Sequence, residues 1–492
     1  MEYPVTKSRI TARNLVVRSF LLGVLILILR FVYVVTVYGG SCASDGFCFF
    51  SSSDSVGMKK VFVEDGDVPV EWRRAVDFYS DAFNKLVMDG YLSRGSKSLC
   101  VGSTFGHDVM ALKIIGVEDV TAIGEKKSPP LVVSANLLNQ PFGNASFDFV
   151  FVDIGVLEGS ESQAELATEV SRVLKPGWFL VVHTSSCSDA YSLHSFAALF
   201  PTCRILRSGE LAGSSSVVRE IVLEKREDSN GIDMAKSKLG KNNECSIPET
   251  KLKAVKSMEP LIPEEPVKPW ITLKKNIQNI KYLPSMVDIS FKRRYVYIDV
   301  GARNYGSSIG SWFKKQYPKQ NRTFEIYAIE ADKTFHPEYA MKKGIKLMGF
   351  AAYVRNETLS FQVSHNPIDD DTEGKGSGMG RIQPTFGESS SSANVHSIQG
   401  FDFAEWLKNT VTEEDFVVLK MDVEGTEFDL IPMLLDTGAI CLVDEFFLEC
   451  HYNRWQRCCP GKRSPKYQKT YDQCLDTFSS LRNSGVLVHQ WW

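Results

Sequence analysis

Apolar positions along the chain change rhythm several times. From Ser19 to Tyr38 they run almost unbroken, long enough to cross a bilayer as a helix, with Arg30 as the one interruption. Over Glu71 to Leu86, the spacing of Trp72, Val76, Tyr79 and Phe83 predicts an amphipathic helix. From there to about Leu223, short apolar runs alternate with helical stretches, the pattern of a mostly parallel sheet with helices on both faces. Glu224 to Pro269 breaks the pattern. It is rich in Lys, Glu, Ser and Asn and then in Pro, which predicts a linker without a packed core. Trp270 to Ile289 reads as a helix or cap opening a second α/β unit. Within that unit, Ser364 to Gly400 holds Asp369, Asp370, Asp371 and a serine run, and predicts a long loop that is either a lid or a solvated insertion. The organisation is thus a tail (1–18), an apolar span (19–38), a stem (39–68), a first α/β domain (69–224), a linker (225–269) and a second α/β domain (270–492).

The second domain concentrates the candidate chemistry at predicted strand ends. Tyr297-Ile298-Asp299-Val300-Gly301 is a buried strand stopping at an acid and opening into a glycine turn, where a backbone can approach a ligand closely. Phe324 to Ile329 is a strand ending at Glu330, placed to accept bonds from ribose hydroxyls. Leu419-Lys420-Met421-Asp422-Val423-Glu424 is another strand running into carboxylates. Ligands of open α/β sheets bind at that carboxyl edge. Alternation points Lys420, Asp422 and Glu424 to one side, where they orient or deprotonate an acceptor hydroxyl, or form an ion pair capping the next helix. His451 follows the apolar run "EFFLEC" and is either a base or a structural hydrogen-bonder.

Taken in order, the Asp299/Gly301 turn, "YAIEAD", "FDFAEWL", "VVLKMDVEGTEFDLI" and "EFFLECH" resemble the FkbM-type S-adenosylmethionine-dependent methyltransferases, from about residue 294 onward. The closing segment and "VLVHQWW" look like a plant-type branch of that group. The resemblance implies a Rossmann-like fold and S-adenosyl-L-methionine as cofactor. Asp299 and Gly301 would hold its methionine end and Glu330 its ribose, with Ala302 and Gly306 as further cofactor-binding residues and Asp422, Lys420, Glu424 and His451 as catalytic candidates. The next glycine after Gly301 comes only at Gly306, later than the family's turn usually brings it. The first domain also resembles the broad class I methyltransferases, through "LCVGSTFG", "PFGNASFDFVFVDIGVLE" and "EVSRVLKPGWFLVVHTS". Cys100 stands there where an acid is expected, and Gly124 ends the second strand. The expectation is a retained fold with lost or altered binding, the rival being a working site on Glu125 and Asp153.

A formal net charge of −3 over 492 residues gives no basic footprint for nucleic acid. Lys7, Arg9, Arg13 and Arg18 precede the apolar span, which predicts a single-pass type II anchor with the domains in the Golgi or endoplasmic reticulum lumen. A cleaved signal peptide ending near Ser41-Cys42-Ala43 is the alternative. Sequons at Asn144, Asn321 and Asn356 agree with a lumenal setting. There, Cys441, Cys450, Cys458, Cys459 and Cys474 are expected to form disulfides rather than ligate zinc with His451. The reading that follows is O-methylation of a lumenal glycan or other secretory acceptor. The rival is a non-catalytic scaffold in Golgi enzyme complexes.

Overall fold

The computed structural model describes residues 69–211, 217–227, 249–319, 321–364, 379–383, 394–456, 459 and 461–491. The apolar span, its basic flank and the stem lie outside the described residues, as does Cys458. None of the described helices is long and apolar enough to cross a membrane.

Helix α1 (Val70–Met88) buries Val76, Tyr79, Ala82, Phe83 and Leu86, the stripe its spacing predicts. It packs on a seven-stranded sheet made of β1 (Ser98–Val101), β2 (Val120–Gly124), β3 (Val133–Ser134), β4 (Phe147–Val152), β5 (Leu174–Thr184), β6 (Cys203–Leu211) and β7 (Val218–Lys225). The order is β3-β2-β1-β4-β5-β7-β6, parallel except where β7 pairs antiparallel with β5 and β6. Strand order reverses between β1 and β4, the switch point where such sheets bind ligands. The Lys175-Pro176-Gly177 segment follows the helix Gln163–Val173 after Leu174. It is an irregularity inside β5, where the register shifts and Gly177 takes a positive φ of 76°.

The second sheet has six strands, all parallel: β8 (Tyr295–Val300), β9 (Phe324–Ile329), β10 (Ile345–Met348), β15 (Phe416–Met421), β16 (Glu445–Glu449) and β17 (Leu487–Trp491), in the order β10-β9-β8-β15-β16-β17. Its central strands are buried on both faces, as in β15, where all six residues are inside. This explains why they read as near-continuous apolar runs rather than alternating ones.

Two expectations change. First, the segment expected to be an unpacked linker holds helix α2 (Glu249–Lys256) and leads into helix α3 (Pro269–Asn279). Residues 228–248 of that segment lie outside the described residues, but two polar residues of the rest, Lys251 and Glu259, are buried and paired. Lys251 Nζ donates to Val443 O at 2.9 Å and faces Asp444 at 3.3 Å, while Glu259 Oε1 lies 2.7 Å from Nδ1 of buried His489. Second, part of the expected loop is sheet. Strands β11 (Ala351–Tyr353), β12 (Glu357–Ser364), β13 (Met379–Gln383) and β14 (Asn394–Asp402) make a small sheet ordered β11-β14-β12-β13. Weak local propensity is overridden there by antiparallel pairing of β12 with both β13 and β14. Residues 365–378 and 384–393, with the Asp369–Asp371 acids, lie outside the described residues.

The two large sheets meet through specific contacts. Phe291 joins the first sheet's core at 5.2 Å from Phe196, and Tyr191 OH donates to Asp444 Oδ1 at 3.1 Å.

Candidate functional site

The site begins where β8 ends. Gly301 has a φ of 77°, and a Cβ there would lie 1.8 Å from the carbonyl oxygen of Asp422. Only glycine allows the ends of β8 and β15 to lie this close. Gly301 N donates to Ile329 O at 3.0 Å, which ties the turn to β9 as well. Arg303, also left-handed at φ 51°, turns its amide onto Glu330 Oε2 at 2.6 Å. Asp332 N donates to the other oxygen at 2.7 Å. Glu330 is 7% exposed. Burial pushes its carboxyl up to about 7, although the two amides work the other way.

Beneath the turn lies a buried charge pair set by strand register. Lys420 on β15 stands directly opposite Asp299 on β8. Its Nζ lies 3.3 Å from Asp299 Oδ1, 3.8 Å from Asp422 Oδ2 and 3.4 Å from Gly301 O. Asp299 Oδ2 accepts from Ser308 Oγ and, at 3.2 Å, from Tyr297 OH. Burial raises the Asp299 carboxyl, with Lys420 opposing. Burial also works against the charge on Lys420, but Asp299 and Asp422 outweigh it and its pKa is raised. Asp299 is fully inside, so it organises Lys420 rather than opening toward a ligand. Asp299, expected at a cofactor's methionine end, lies below the turn against Lys420 and does not line the cleft. The same alternation that aligned it with the strand end turned it into the sheet.

Beyond β15 the chain does not continue as a strand. Glu424 is left-handed at φ 53° and Gly425 follows at 108°, which turns the chain into helix α4 (Glu427–Asp436). Asp422 and Glu424 therefore share a site because of this turn rather than by strand alternation. His451, just past β16, is buried among carboxylates. Its N and Nδ1 lie 2.6 and 3.1 Å from Glu427 Oε1. Its Nε2 lies 3.5 Å from Asp422, 3.8 Å from Glu449 and 3.9 Å from Glu424. Burial disfavours its charge, yet Glu427, Glu449 and Asp422 together push it up to about 10. An imidazolium held that firmly is a poor general base at neutral pH, which favours the structural role over the catalytic one. Glu449 is raised by burial and then by Asp422.

A cleft opens over these groups. Gly301, Arg303, Glu330, Asp422 and Glu424 line it, with Phe335, Phe350, Phe361 and Ile382 as apolar walls. Arg381 and Ile382 come from β13, so the insertion supplies one wall. Of the residues expected from sequence, Gly301, Glu330, Asp422 and Glu424 meet in the cleft, while Lys420 and His451 support it from below. Ala302 is buried beside the turn and Gly306 is exposed beyond it; neither lines the cleft. Glu427, Glu449 and Arg303 were not among the expected site residues. Glu427 and Glu449 stand inside the strand-end motifs, and Arg303 interrupts the glycine turn, so the signal was present.

Three of the late cysteines are oxidised: Cys450 bridges Cys474 in helix α5 (Tyr471–Asn483), and Cys441 is also disulfide-bonded, whereas Cys459, expected in a bridge, is not part of one. Cys100, Cys187 and Cys203 are buried free thiols.

The equivalent turn in the first sheet is closed. A Cβ on Gly102 would meet Val156 Cγ2 at 2.1 Å, and one on Gly106 would meet Leu131 at 2.7 Å. Val156 and Leu131 thus pack directly against the two glycines of that turn. Asp153 is engaged by Tyr79 OH at 2.6 Å and Ile154 N at 2.8 Å, and Glu125 is exposed. Cys100 is fully buried beneath them.

Comparison with known proteins places the two units differently. The sequence model of a methyltransferase domain matches residues 98–182. That of a domain of unknown function, DUF7870, matches residues 255–359 and 382–492. No curated protein matches the chain. Among solved structures, Burkholderia thailandensis 1,6-didemethyltoxoflavin-N1-methyltransferase is 16% identical, with 34% of this chain and 94% of that one covered and a TM-score of 0.25. A methyltransferase from Methanosarcina mazei is 18% identical over 28% and 97%, TM-score 0.23, and one from Aquifex aeolicus is 17% identical over 28% and 87%, TM-score 0.25. Through residues 98–182 the chain is similar to class I, S-adenosylmethionine-dependent methyltransferase domains.

Proposed function

We propose that the chain is an S-adenosylmethionine-dependent methyltransferase whose second domain is the enzyme. The observation that carries this is the cleft where Gly301, Glu330 and Asp422 converge at the carboxyl edge of one parallel sheet. The resemblance to FkbM-type enzymes, including their plant-type branch, supports the same assignment. The acceptor oxygen is read as a hydroxyl of a lumenal glycan or other secretory-pathway molecule, on a type II protein of the Golgi or endoplasmic reticulum. The exposed sequon asparagines Asn144, Asn321 and Asn356 are compatible with that setting.

The residues suit the cofactor. Each Glu330 oxygen accepts one backbone amide and keeps lone-pair capacity for a ribose hydroxyl. Phe335 and Phe350 offer apolar faces for a base, and Asp422 and Glu424 place negative charge at the rim, complementary to a sulfonium. When bound, the cofactor supplies an electrophilic methyl group. Asp422, about one-third exposed and steadied by Lys420, is the group placed to orient the acceptor hydroxyl and take its proton. In this reading the first domain, with Cys100 where an acid is expected and Gly124 ending its second strand, is a structural partner.

Calorimetry of the full chain with S-adenosylmethionine tests the assignment. Glu330→Ala should weaken binding about tenfold or more, the scale of a bond to a charged group, while Asp153→Asn should leave it unchanged. No binding, or the reverse pattern, refutes it. Labelled-methyl transfer to Golgi glycan fractions tests the acceptor class.

A further inference from the structure

We propose that Asp422, Glu424 and His451 form a binding site for one divalent transition-metal cation, with Glu449 at its edge. One ligand atom from each of the three lies within 4.8 Å of the others. The separations from His451 Nε2, 3.5 Å to Asp422 Oδ1 and 3.9 Å to Glu424 Oε1, are too long for hydrogen bonds. They are slightly longer than the roughly 3.0–3.5 Å edge of a coordination shell with bonds near 2.1 Å. A small contraction around an ion would close them.

The partners of each group leave the inward atoms unclaimed. Glu424 Oε2 accepts from Lys466 at 2.6 Å and from Tyr467 OH, so Oε1 is the oxygen turned to the histidine. Asp422 Oδ2 faces Lys420, so Oδ1 is the inward one. His451 is 2% exposed, and among the described residues its Nε2 makes no hydrogen bond although three carboxylates surround it. Its Nδ1 is held by Glu427, itself fully buried. A carboxylate on one ring nitrogen is the usual device for presenting the other to a metal. Arg454, 4.0 Å from Glu449, and Lys420 partly offset the acids, but four carboxylates still face one imidazole. Imidazole mixed with carboxylates suits Mn²⁺, Co²⁺ or Zn²⁺ better than the all-oxygen shells of Ca²⁺. The alternative is that a protonated His451 alone completes the network as an ordinary ion-pair cluster.

The inference stands on these ligand positions and does not use the methyl-transfer reading. Its test therefore omits cofactor and acceptor. The purified full chain, stripped with chelator, is titrated with Mn²⁺ by calorimetry and followed by electron paramagnetic resonance. One ion per chain is expected, with spin-echo modulation from a directly bound nitrogen. Asp422→Asn and Glu424→Gln should each weaken binding at least tenfold, and His451→Gln should abolish the nitrogen signal. Asp422 and Glu424 are only partly buried, so those variants keep the test decisive if His451→Gln fails to fold. No saturable binding, a bound ion without nitrogen coupling, or undiminished affinity in the two carboxylate variants would overturn the proposal.

Discussion

Glu330→Gln isolates the electrostatics of the cleft. The carboxyl is raised from 4.5 to about 7 in the folded protein, chiefly by burial. A folded-state value above the unfolded one means that folding takes up a proton between the two. The unfolded chain then binds fewer protons, so stability falls as pH rises across that window. At about 1.4 kcal/mol per pH unit, the protein should lose about 3 kcal/mol at this site between pH 4.5 and 7 and little more above it. Glutamine cannot ionise, so its variant lacks this slope. It has its own pH-independent penalty of roughly 1–3 kcal/mol, because its amide must turn a donor toward the amide of Arg303 or Asp332. The variant should therefore be clearly less stable than wild type near pH 5, and the gap should close by pH 7.5. Urea unfolding of both proteins from pH 4.5 to 8 measures it. Asp153, raised to about 6 by burial, contributes equally to both and cancels. Parallel stability curves would refute the assigned environment of Glu330. Ribose donors favour the ionised form, so S-adenosylmethionine should bind more tightly as pH rises toward 7 in wild type and not in the variant.

Gly301→Ala should cost roughly 3 kcal/mol or more, since its new Cβ meets Asp422 O at 1.8 Å on a left-handed residue; a thermal melt unchanged within error would contradict that geometry. Replacing Cys450 and Cys474 together by serine should remove about 2–4 kcal/mol, the usual worth of a bridge closing a loop of this size, read by denaturant unfolding without reductant. Asp422→Asn should retain cofactor binding by calorimetry and lower turnover about a hundredfold; equal turnover would remove Asp422 from the chemistry.

Much of the cleft was legible because it is built where apolar runs stop. Val300, Ile329 and Met421 end buried strands, and the residues that follow, Gly301, Glu330 and Asp422, gather because parallel strands end on one edge. What was illegible depends on side-chain direction and partners. Asp299 lies one residue before a strand end and faces inward, so position along the motif did not reveal that it is buried against Lys420. The polar stretch around Lys251 and Glu259 looked solvated because its partners, Val443, Asp444 and His489, lie about two hundred residues away. The strands β13 and β14 are held by pairing with β12, and antiparallel pairing of this kind leaves little trace in local composition.

The all-parallel second sheet constrains how the chain can be made. Its central strand β8 pairs on one side with β9, close in sequence, and on the other with β15, Tyr295 meeting Phe416 roughly 120 residues later. At about 5–20 residues per second, a ribosome needs some 6–24 seconds to supply that partner. Through that interval the edge of β8 that receives β15 is without its neighbour, as are Val296, Ile298 and Val300. The first sheet, whose strands are complete by Lys225, can fold meanwhile. Dependence on holding chaperones should therefore fall on the second half of the chain, and slowing translation between β9 and β15 should lower the yield of native protein more than slowing it within residues 98–225.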